Sequence, residues 1–130
     1  MFRRFALIFP FLAACTSDAT LTSLAGEGSV WRLTELDGAE FAAEATIEFP
    51  QEGRIAGAAP CNRYTAAQSA TYPDFAAGPI AATRMACPEL DAETRFLDAL
   101  AAMRTVEVDE DVLTLSGDAG RRMVFVRLQD

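Results

Sequence analysis

One amphipathic helix set among short, turn-bounded apolar runs is the feature that most restricts how this chain can fold. Between Glu89 and Met103, side chains placed 100° apart bring Leu90, Phe96, Leu97, Leu100 and Met103 into an arc of about 140°. Asp91, Thr94, Arg95 and Asp98 take the other side. Pro88 suits the first turn, Glu89, Asp91 and Glu93 meet the positive end of the helix, and Arg104 meets the negative end. Asp91 and Arg95, four apart, have the spacing that can pair across one turn. A single apolar stripe needs a partner surface, and the other segments supply a sheet.

Those segments read as strands. Val30–Leu36 stops at the Asp37-Gly38 turn, and Ala45–Phe49 alternates apolar and polar before Pro50 closes it. Gly53–Gly57 is a short piece between glycines, Tyr64–Tyr72 is ambiguous, and Ile80–Met85 follows a Gly-Pro break. Thr105–Val108, Val112–Leu115 and Arg122–Leu128 are separated by Asp109-Glu110-Asp111 and by Gly117–Gly120, the spacing of an antiparallel meander. With 130 residues, 51% hydrophobic and 23% charged, the chain has the makings of one globular domain and not of a disordered chain or a coiled coil.

The N-terminus reads as an address. Met1-Phe2-Arg3-Arg4 is a positive leader, Phe5–Leu12 is an apolar run too short to span a bilayer, and Leu12-Ala13-Ala14-Cys15 resembles a bacterial lipobox. That resemblance implies cleavage before Cys15, a thioether-linked lipid on its sulfur and attachment to the cell envelope; the alternative is an ordinary secretory signal carrying a Cys. Thr16, and not Asp, follows the Cys, which resembles the pattern of sorting to the periplasmic face of the outer membrane. Residues 1–14 are thus expected to be a lipoprotein signal peptide and 15–28 a lipidated Cys with a small, polar tether, reaching about 20 Å if it behaves like a Gly/Ser chain. The folded domain is expected over 29–130.

All eleven cations are Arg, against nineteen acids. Cleavage removes two Arg and no acid, so the mature chain carries a charge of −10. Such a chain has no basic stripe for a nucleic acid, and its membrane attachment must come from the lipid. Without His or Lys, the Ser-His and Cys-His pairs of nucleophilic catalysis are unavailable. The three carboxylates at 109–111 lack the pattern of a calcium loop and read as a solvated turn. No enzyme, cofactor or metal is expected.

Two cysteine segments carry a family resemblance. Gly57-Ala58-Ala59-Pro60-Cys61-Asn62-Arg63-Tyr64 resembles the GxxGCNxY segment of the META domain family, which includes heat-inducible HslJ-type lipoproteins. Ala82-Thr83-Arg84-Met85-Ala86-Cys87-Pro88 resembles the family's TxMAC segment ahead of its helix. Trp31-Arg32-Leu33, Leu36-Asp37-Gly38, Glu93 with Phe96-Leu97, Val112–Leu115 and Val124-Phe125 complete the frame. Pro60 stands where the family usually has Gly; lacking an amide hydrogen, it should alter the turn before Cys61. The resemblance implies an α+β fold: a strongly curved, barrel-like antiparallel β-sheet with one packed α-helix. It implies an association with envelope and stress but no catalytic set.

Once Cys15 is lipidated, Cys61 and Cys87 are the remaining thiols, in an oxidising compartment. They are read as a disulfide, as buried reduced thiols, or as a redox or metal pair; the missing CxxC spacing, His and Lys weigh against the last. Asn62, Arg63, Tyr64, Arg84 and Trp31 are the candidate binding patch, each with a plainer structural role as the alternative. Two functions stand open: a non-enzymatic lipoprotein that supports envelope integrity or stress tolerance by binding a protein or envelope component, and a small-ligand module using the open end of the curved sheet.

Overall fold

The computed structural model describes residues 19–129. Cys15, the leader and the proposed cleavage site lie outside the described residues. The chain forms α1 (Leu21–Ala25), β1 (Val30–Leu36), β2 (Ala39–Glu40), β3 (Thr46–Gln51), β4 (Arg54–Ala58), β5 (Arg63–Ala67), β6 (Ala81–Ala82), α2 (Leu90–Ala102), β7 (Met103–Asp109), β8 (Val112–Gly117) and β9 (Arg122–Arg127). The strands make one antiparallel sheet in the order β6-β5-β4-β3-β1-β9-β8-β7, with β2 paired to β1. It curls into a half-barrel against α2, the α+β architecture expected.

Local irregularities drive the curl. Between Leu33 and Glu35 the β1–β9 register shifts by a bulge, so the buried positions pass from Trp31 and Leu33 to Leu36. An extra residue of this kind bends a strand and increases its twist. A second register shift lies between Glu48 and Gln51, and Pro50 sits inside it. Pro50 therefore continues β3 instead of closing it, at the kind of irregularity where a missing amide is tolerated. At the far edge, residues 73–75 lie on β7: Val106 N–H donates to the Pro73 carbonyl and Phe75 N–H to the Arg104 carbonyl, both at 2.8 Å. Loop backbone thus occupies an edge that would otherwise be open to another chain.

The core sits between the concave face of the sheet and α2. Phe96 and Leu100 are wholly buried, contributing about 1.5–3 kcal/mol each. The Phe96 ring meets Tyr64 edge-on at 5.6 Å and Phe41 at 6.3 Å.

Four further expectations need correction. The tether does not extend to Gly28. Thr20 caps α1 by accepting the Ser23 N–H, and Leu21 and Ala25 are buried in the core, so order begins before Ser29. Five residues rich in Ser and Thr hide such a helix, although the Thr20 cap and Gly26 at its end are the signals that bound it. The buried stripe of α2 is Ala92, Glu93, Phe96, Ala99 and Leu100, leaving Leu90 exposed. Arg104 does not face the helix terminus; it lies in β7 and pairs with Asp118 at 3.0 Å. Ile80–Met85 pairs as a strand only at Ala81–Ala82; beyond it Thr83 N–H still bonds the Arg63 carbonyl, and the Asn62 side chain takes over at Met85.

Candidate functional site

The two cysteine segments meet at one end of the sheet. Cys61, in the β4–β5 connection, is bonded to Cys87, just ahead of α2, with their Cα atoms 5.6 Å apart. Of the open readings of these thiols, the disulfide is the one present.

The disulfide is one tie in a bonded unit. Glu93, on the first turn of α2, points inward and is 5% exposed. Its Oε1 accepts the N–H groups of Cys61 (3.0 Å) and Asn62 (2.8 Å), and its Oε2 accepts from Asn62 Nδ2 (2.7 Å). Charge-assisted bonds of this kind are the strong ones, and they compensate a carboxylate for the water it loses. Asn62 then reaches the other segment: Nδ2 donates to the Met85 carbonyl (2.9 Å), while Oδ1 accepts from Met85 N–H (2.6 Å) and Thr83 Oγ1 (2.9 Å). Both faces of the amide are used, so the Met85 main chain is clamped at its N–H and at its C=O.

Gly57 and Tyr64 form the adjoining lock. Tyr64 Oη donates to the Thr46 carbonyl at 2.6 Å across Gly57. A Cβ on Gly57 would overlap that carbonyl oxygen and lie 2.8 Å from Tyr64 Oη, so only glycine fits. Burial, reinforced by the Glu48 carboxylate, pushes the Tyr64 hydroxyl far above the phenol range and keeps it a donor. Pro60 is accommodated without strain: Ala59 N–H bonds the Asn62 carbonyl at 2.7 Å, and no residue from 57 to 64 has a positive φ.

The residues expected to share a binding patch are therefore divided. Asn62 and Tyr64 are buried structural groups. Trp31 is also fully buried, at the start of β1; its Nε1 donates to Ser29 Oγ at 2.9 Å and the Arg127 guanidinium covers its ring at 4.4 Å. A large apolar ring one residue into a central strand is taken up by the core. Arg63 is exposed but engaged with Glu48 at 2.6 Å. Arg84 is exposed, two residues before the disulfide segment's Ala86, and has no ion pair among the described residues. Sequence reasoning missed the buried role of Glu93, although it stands three residues before Phe96 and seven before Leu100 on the apolar face. Met85, two residues before Cys87, and Leu90, three residues after it, are exposed.

The concave side of the sheet is filled: Trp31, Phe49, Tyr64, Phe96 and Phe125 all lie below 2% exposure there. A cleft of about 640 Å³ lies between β1 and residues 40–44, with Arg32, Glu35, Glu40 and Glu44 among its lining. Among the described residues no three His, Cys, Asp or Glu side chains gather as a metal site.

The META domain profile matches residues 20–130. The chain belongs to the META domain family. Its matched span begins at the α1 cap, in agreement with the observed start of order. Two solved structures share this fold. One is the NMR structure of a protein from Burkholderia xenovorans, with a TM-score of 0.65 and 23% identity over 80% of this chain and 84% of that one. The other, also an NMR structure, has a TM-score of 0.58 and 22% identity over 77% and 89% of the two chains. No curated protein matches. In this META domain the two cysteine segments are halves of one unit, joined by the disulfide and by the Glu93–Asn62–Met85 bonds.

Proposed function

We propose that this META domain protein is a non-enzymatic, HslJ-like lipoprotein, held through Cys15 at the periplasmic face of the outer membrane, that supports envelope integrity under heat or antibiotic stress by binding an envelope protein. The observation that carries this reading is the Cys61–Cys87 disulfide. Structural disulfides persist in oxidising compartments, and the Leu12-Ala13-Ala14-Cys15 leader is the signal that would deliver the chain to one. The non-enzymatic part rests on the same unit. Glu93, Asn62 and Tyr64 are the reactive-looking groups near the disulfide, and each is bonded to protein partners.

The leash is short under this reading. Four residues separate Cys15 from the α1 cap at Thr20, so the two Cα atoms lie at most about 18 Å apart. The domain rides on the membrane surface instead of ranging through the compartment, which favours a partner at or near that surface.

Metabolic labelling with a palmitate analogue and membrane fractionation test the anchor. The wild-type chain should carry the label at Cys15 and sediment with outer membranes, and Cys15→Ser should abolish the label. A chain that is unlabelled, or whose deletion leaves envelope permeability and heat and drug tolerance unchanged, would overturn the reading.

A further inference from the structure

Sulfur is distributed unevenly over this domain. Met103 and Met123 lie in the core, 2% and 0% exposed, and Cys61 and Cys87 are joined, leaving no thiol among the described residues. Met85 is 68% exposed, and its thioether lies outside the core. Trp31, the one tryptophan of the chain, is fully buried. What holds Met85 is main chain. Its N–H donates to Asn62 Oδ1 at 2.6 Å and its carbonyl accepts from Asn62 Nδ2 at 2.9 Å. Two residues earlier Thr83 N–H bonds the Arg63 carbonyl at 3.1 Å, and two residues later Cys87 is fixed by the disulfide.

We propose that Met85 is a reversible oxidation site: hydrogen peroxide or hypochlorous acid converts its thioether to the sulfoxide, a thiol-dependent methionine sulfoxide reductase restores it, and the fold is the same in both states. The inference goes beyond the partner-binding function and stands without it. With peroxide, a sulfur lone pair attacks one oxygen, and the S–O bond forms as the O–O bond breaks. Hydroxide departs with that electron pair and takes up the proton left on the new oxygen. Thioether and peroxide thus give sulfoxide and water, the sulfur losing two electrons. With hypochlorous acid, the products beside the sulfoxide are chloride and a proton. In the return step two thiols become a disulfide and the sulfoxide oxygen leaves as water. The departing hydroxide needs hydration, which Met85 offers and the buried Met103 and Met123 do not. Burial also decides what each sulfoxide does to the fold. At 103 or 123 the new oxygen would be an acceptor without a partner inside the core. At 85 it projects into water, over a backbone that Asn62 fixes through groups the oxidation does not touch. Oxidation therefore exchanges an exposed apolar side chain for a polar one at a fixed point of the surface.

The test uses the full chain, purified in peroxide-free detergent and treated with hydrogen peroxide or, separately, with hypochlorous acid. Peptide mass mapping reads oxygen uptake at positions 85, 103 and 123 individually. In the folded chain Met85 should react at least tenfold faster than Met103 and Met123, whereas in guanidinium chloride the three should react with peroxide at one rate. Chain oxidised at 85 alone should keep the thermal midpoint of the untreated protein. The two epimer-specific sulfoxide reductases, supplied with dithiothreitol, should then remove the oxygen. Equal rates at the three positions of the folded chain, or slower reaction at 85, would overturn the site. A lowered midpoint after oxidation at 85 alone would overturn the claim that the fold is indifferent to it. A sulfoxide that both reductases leave in place, while they reduce the same peptide cut from the chain, would overturn its reversibility.

Discussion

Glu93 shows how one residue can be read correctly for its charge and wrongly for its place. Its position near the start of α2 suits the positive helix end, yet the same 100° periodicity puts it on the face of Phe96 and Leu100. What the sequence could not display was the set of donors, Cys61 N–H, Asn62 N–H and Asn62 Nδ2, that come from 32 and 31 residues away. Asn62, by contrast, was legible as a turn residue, and it is one whose amide also bridges two segments. Glu93→Ala should lower stability by about 3 kcal/mol, since three buried N–H donors lose their acceptor together. Glu93→Gln should cost less, because one oxygen can still receive the two backbone donors while its amide opposes Asn62 Nδ2. Denaturant midpoints of the two variants give the comparison; equal and negligible losses would show the carboxylate to be incidental.

Among the elements, those with a clear hydrophobic period were the legible ones. β1 and α2 have nearly the expected bounds, as do β8 and β9, because alternation or a helical stripe records burial directly. β2 and β6 are two residues each, too short to carry a period, and their pairing depends on neighbours distant in sequence. α1 is short too, and its side chains look like linker until Leu21 is seen at 5% exposure. Leu21→Ala should therefore cost about 2–3 kcal/mol in unfolding free energy, whereas a tether residue would cost nothing measurable. Across the cysteine segments the disulfide closes a loop of 26 residues, worth about 3.5 kcal/mol by chain entropy. Replacing both cysteines by Ser should lower the denaturant midpoint accordingly. Amide exchange should accelerate first at Cys61, Asn62, Thr83 and Met85, since the Glu93 and Asn62 bonds would then hold those segments alone. Uniform acceleration over the whole sheet would mean that the disulfide supports the global fold and not this end of it.

For the whole molecule, the placement of the two ends matters more than any one site. Successive antiparallel strands return the chain to the same two rims, so the β3–β4 turn and α1 fall on one rim and the Cys61–Cys87 unit on the other. If Cys15 bears the lipid, four intervening residues cannot let the domain turn its far rim to the bilayer without lifting the near one away. This predicts a distance gradient. In reconstituted lipidated protein, a spin label at Glu52 should be relaxed more strongly by a paramagnetic headgroup lipid than one at Glu89. Ten Gly/Ser residues inserted after Thr16 should add a span of about 18 Å and erase most of the difference. A stronger effect at Glu89 in the native-length chain would mean that the disulfide rim, with the exposed Met85 and Leu90, faces the membrane.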